Sequence, residues 1–92
     1  MDDLSLENKY RIIEKAYNET LAKYGNKQAD YALNCLINNN NVEYFTGKEN
    51  RALLSKYVIY GDIMQVLSLS SNENINRILN DSTELTETHK IR

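Results

Sequence analysis

From Leu6 onward the apolar side chains fall at Leu6, Tyr10, Ile13, Tyr17, Leu21 and Tyr24, three or four residues apart. A helix gathers that spacing on one face, whereas a strand would split it between two. Glu7, Arg11, Glu14, Lys15 and Asn18 occupy the opposite, solvent-directed face. Glu7–Arg11 and Glu19–Lys23 are i,i+4 pairs in the favoured order, each worth about 0.3 kcal/mol. Ser5 or Asp3 can cap the start, and Gly25 can take a left-handed conformation at the end. The first helix therefore covers about residues 4–24.

Tyr10, Tyr17, Tyr24 and Tyr31 lie seven apart, the period of a coiled coil. Gly25 interrupts that register, and Tyr is a poor seam residue beside Leu or Ile. The rings are better suited to a shallow core with their hydroxyls at its wet edge. The same face admits a homodimer.

Asn26 can cap a second helix, in which Ala29, Ala32, Leu33, Leu36 and Ile37 repeat the helical spacing. Cys35 lies off that stripe and reads as a small buried hydrophobe. As a nucleophile it would need a basic partner, and the single His, His89, is far away in a polar tail. Asn38 to Asn41 compete with the helical backbone for hydrogen bonds and tolerate left-handed angles, so the helix ends there. Asn can also read adenine, but 13 of the 92 residues are Asn, which points to an AT-rich genome instead.

Thr46 and Glu49 form a capping-box pattern, so a third helix is expected from Gly47, with Tyr44 or Phe45 as its hydrophobic staple. Ala52, Leu53 and Tyr57, with Leu54 and Val58 beside them, would supply its apolar face. Residues 57–67 allow two structures. Tyr57–Tyr60 and Ile63–Leu67 around Gly61-Asp62 fit a hairpin. Alternatively the third helix ends near Tyr60, Gly61 follows it, and Asp62 caps a short helix with Ile63, Val66 and Leu67 on one face. The helix is preferred, because Met64, Gln65 and Leu67 are good helix formers and Ile63–Leu67 does not alternate. Ser70-Ser71-Asn72 reads as a loop and cap for a last helix over residues 73–80, carrying Ile75, Ile78 and Leu79.

The expected fold is all-α: a compact bundle of four to five short helices over residues 1–81, followed by a polar, flexible tail over 82–92. A winged helix with a hairpin at 57–67 is the alternative. The start Met1-Asp2-Asp3 lacks the basic and apolar regions of a signal peptide, and no apolar run approaches the roughly 18 residues of a membrane span. A cytoplasmic protein away from membranes is expected. One Cys excludes an internal disulfide and a Cys-based zinc site. There is no Gly-rich phosphate loop, no HExxH and no His near a Ser or Cys, so no enzyme activity, cofactor or metal is expected.

The chain has a formal charge of −2, a poor footprint for nucleic-acid binding. Charge is uneven, however: residues 4–60 hold eight basic and six acidic side chains, and residues 61–92 hold three and five. Lys48, Arg51 and Lys56 would lie on the recognition helix of a winged domain, yet the wing would carry no basic residue. A protein partner is the stronger expectation. Tyr44, Phe45, Lys48 and Arg51 combine aromatic rings with cations, the composition enriched at interface centres, and are the candidate partner-binding residues. A staple would bury one of the two rings.

The block Ala32-Leu33-Asn34-Cys35-Leu36-Ile37, the Asn run, Tyr44-Phe45-Thr46 and Asn50-Arg51-Ala52-Leu53-Leu54 resembles small accessory proteins of phages and conjugative elements of AT-rich Gram-positive bacteria. The resemblance covers about a third of the chain and includes no catalytic motif. It implies a short, acidic, non-enzymatic protein that binds a host or element protein, either inhibiting host defence (as anti-CRISPR proteins do) or regulating the element.

Overall fold

The computed structural model describes residues 5–81. The expected tail over 82–92 and Asp3 as an alternative cap lie outside the described residues. Four helices run α1 (Leu6–Tyr24), α2 (Asn26–Asn39), α3 (Lys48–Lys56) and α4 (Tyr60–Leu67). A fifth, α5, occupies residues 73–81. No strand occurs among the described residues.

Ser5 caps α1 as its sequence suggests, its hydroxyl accepting from the Asn8 N–H at 3.2 Å. Gly25 then serves both helices, closing α1 and opening α2 at φ 97°, ψ 175°, a conformation reserved to glycine. Asn26 is consequently the first residue of α2 and not its cap. At the other end Asn40 adopts the left-handed conformation, φ 56°, and its N–H returns to the Leu36 carbonyl. The amide run therefore ends the helix as expected.

The capping box at Thr46 and Glu49 does not form. Gly47, at φ 88°, is the N-cap, so α3 begins one residue later and Asn50 takes the third helical position instead of Glu49. Within α3 only Asn50 and Leu54 are buried, while Ala52 is exposed and Leu53 half-buried. The helix stops at Lys56, short of Tyr60. Tyr57, Val58 and Ile59 form a bend, with the Ile59 N–H donating to the Tyr57 carbonyl.

Helix, not hairpin, occupies the second half of 57–67, which removes the wing. The start of α4 nonetheless differs from expectation. Ile59 is its N-cap, and Gly61 and Asp62 lie inside its first turn. Asp62 suits that place, since a carboxylate near a helix N-terminus is favoured by the backbone dipoles. It also pairs with Lys9 of α1 at 2.8 Å. Ile63, Val66 and Leu67 are buried together, as their spacing requires. Asn72 caps α5 by accepting from the N–H groups of Asn74 and Ile75.

α1 is the central element. α2, α3 and α4 all pack on it, and α2 also meets α4. Ala16 of α1 and Ala29 and Ala32 of α2 are fully buried, and Leu33, Leu36, Ile37, Ile63, Leu67 and Ile75 fill the interior. Each such Leu or Ile stabilises the fold by about 1.5–3 kcal/mol. The heptad tyrosines share no seam. Tyr17 is buried, Tyr10 half-buried, and Tyr24 and Tyr31 stand in solvent.

Candidate protein-interaction surface

The loop between α2 and α3 is fixed from within by Phe45. Its ring is 1% exposed and belongs to the core, so it is not available to a partner in the folded chain. Burying this ring beneath the bundle leaves the neighbouring Tyr44 at the surface. The backbone around them is held at three points. The Thr46 N–H donates to the Thr20 hydroxyl at 2.9 Å. Arg51 donates to the Phe45 carbonyl at 2.9 Å, and Gln28 to the Tyr44 carbonyl at 3.4 Å. Arg51 is thus a support of the loop as well as a cation.

Tyr44, 38% exposed, meets Tyr31 of α2 edge-to-face, with ring centroids 4.9 Å apart and planes at 66°. Tyr31 is 51% exposed. Such a pair holds both rings in place beyond what area burial alone supplies. The Tyr44 hydroxyl, and after it the Cys35 thiol, push the Tyr31 phenol up to about 12. Cys35 itself is buried, as its helical setting suggests. Lys27 precedes Tyr31 by one turn on α2, and Lys48 opens α3. Both ammonium groups are exposed and make no ion pair among the described residues.

Of the four residues the sequence singles out, Tyr44 and Lys48 lie at the surface, Arg51 is half-buried, and Phe45 is interior. The sequence pattern does not pair Tyr31 with Tyr44 or single out Lys27. The seven-residue tyrosine spacing marked Tyr31, but nothing local distinguishes a ring that faces solvent from one, like Tyr17, that faces the core.

One other polar grouping and one apolar cleft lie away from this surface. The Tyr17 hydroxyl donates to Asp30 at 2.8 Å, and Arg77 donates to the other oxygen of the same carboxylate at 2.9 Å, joining α1, α2 and α5. Burial first, then the bond to Asp30, raises the Tyr17 pKa. Between α1, α2, α3 and α4 lies a mainly apolar cleft lined by Ile12, Leu36, Leu54 and Ile63, together with the paired Lys9 and Asp62. It encloses about 10 Å³, room for about one water. Ile59 and Leu69, two further large exposed apolar residues, flank the two ends of α4.

Among the described residues there is no group of three or more His, Cys, Asp or Glu side chains able to hold a metal ion. None of the described helices is long and apolar enough to cross a membrane. The Cys–His pairing involves His89, outside the described residues. Comparison with protein-family models, curated proteins and solved structures returned no match.

Proposed function

We propose that this chain is a non-enzymatic protein-binding module, an inhibitor or regulator of the kind carried by phages and other mobile elements. Its partner is a protein that sets acidic side chains beside an apolar or aromatic group. The single observation carrying this proposal is the exposed Tyr31–Tyr44 pair, one ring on α2 and one on a braced loop, held edge-to-face. Aromatic residues already fixed in position lose little conformational freedom on binding, which is why they recur at the centres of interfaces. Lys27 and Lys48 add positive charge that would steer and orient an acidic partner. The chain as a whole is acidic, which disfavours a polyanionic duplex as that partner.

The test is affinity capture of a stoichiometric protein from the source cell, repeated with Tyr31→Ala and Tyr44→Ala chains whose helicity is confirmed by circular dichroism. Loss of capture with helicity intact is expected, together with weaker capture at high salt. Capture indifferent to both substitutions would overturn the assignment of this surface. A salt-sensitive shift of duplex DNA that Lys48→Gln abolishes would replace the protein partner with nucleic acid.

A further inference from the structure

We infer that α3 is a detachable strap: it opens as one cooperative unit while α1, α2, α4 and α5 remain folded. Its anchoring is unlike that of any other helix. Only Leu54 and Asn50 are buried in its nine residues, and one of those is polar. Its firmest ties gather near its N-terminus, where Asn50 donates to Glu19 at 2.6 Å and Arg51 to the Phe45 carbonyl. Towards the C-terminus, Leu53 and Leu54, with Tyr57 and Val58 just beyond the helix, line the cleft, so a gap with room for about one water remains beside that end.

Both ends of α3 are non-helical joints. Gly47 sits at φ 88°, and Tyr57 to Ile59 form the bend before α4. Phe45, two residues before Gly47, is locked in the core and would hold the loop while α3 lifts. Opening uncovers Ile12, Ile13, Leu36, Ile63 and Val66, a continuous apolar lining. Partial openings of this kind involve segments with few buried apolar contacts, as α3 has. The fold therefore contains a reversible means of exposing apolar surface, one that also releases the Arg51 brace on the loop carrying Tyr44.

Native-state hydrogen exchange of the full chain in low, non-denaturing urea tests this. The amides of Ala52, Leu53, Leu54, Ser55 and Lys56 should share one opening, with a urea slope above zero but below that of global unfolding. Their protection should be at least tenfold lower than that of Leu33, Leu36 and Ile37. A second variant separates partial from global opening. Tyr17→Phe removes a bond between α1 and α2 that persists when α3 opens, so it should lower α2 protection by about fivefold, a loss of about 1 kcal/mol. The α3 amides should stay within about twofold of their original protection, because that bond is equally present whether α3 is docked or open. Equal loss in both helices would overturn the inference, since α3 would then open only when the whole chain does. Scattered protections in α3 with no urea slope would also overturn it.

Discussion

α2 and α3 both lie on α1, but they are held there differently. α2 buries Ala29, Ala32, Leu33, Cys35, Leu36 and Ile37, an apolar face that excludes water along most of its length. α3 buries one Leu and one Asn. The orientation of α2 follows from its hydrophobic stripe. That of α3 follows from where Asn50 finds partners, the Glu19 carboxylate and the Thr46 carbonyl. Greasy area tolerates small shifts, whereas a hydrogen-bonded anchor needs its partners in place. A helix of the second kind is well positioned yet weakly held.

That contrast can be broken most directly by truncating one buried Leu in each helix. Leu33→Ala should cost about 2–5 kcal/mol, because Leu33 is fully buried in α2 and does not line the cleft. Leu54→Ala should fall near the low end, about 2 kcal/mol, since α3 can settle into the cleft beside it. Equal shifts of the urea midpoint would erase the distinction. Asn50→Ala should cost about 1–2 kcal/mol, removing the donor to Glu19 and a weaker contact to Thr46, and urea titration again reads the loss.

The smallest effect concerns alkaline pH. Tyr17 and Tyr31 both hold their protons more tightly in the folded chain than the ordinary value near 10. Their contribution is fully present below pH 10 and is lost as pH rises through the folded values. Stability should therefore decline from about pH 10 through about 12. Tyr31→Phe should remove the phenolate absorbance step near pH 12. A Tyr31 that ionises at 10 would show that its contact with Tyr44 does not persist in solution.

Much of the helical framework is legible from spacing alone. α1, α2, the buried face of α4 and the Asn72 cap of α5 each follow from local patterns that the tertiary structure leaves undisturbed. The errors share a physical origin. Thr46 and Glu49 have the right chemistry for a capping box, but the positive φ of Gly47 delays the helix by one residue. Tyr44 and Phe45 are adjacent rings, and only the shape of the distant core decides which is buried. The join of Tyr17, Asp30 and Arg77 links residues up to 60 positions apart along the chain, beyond the reach of any periodicity. The seven-residue spacing picks out Tyr31 but not its exposure, which is a property of the bundle and not of α2 by itself.

Gly25 has a consequence for which kinds of genetic change this chain can accept. With one residue between α1 and α2, there is no slack to absorb a change of length. An extra codon within the first turn of α2 would rotate the rest of that helix by about 100° and swing Leu33, Leu36 and Ile37 towards water. The same insertion beside the exposed Glu43 or the exposed Leu69 would lengthen a loop without moving a buried side chain. Duplication and slippage are therefore affordable at the far ends of α2 and α4, and ruinous at the shoulder where the first two helices meet.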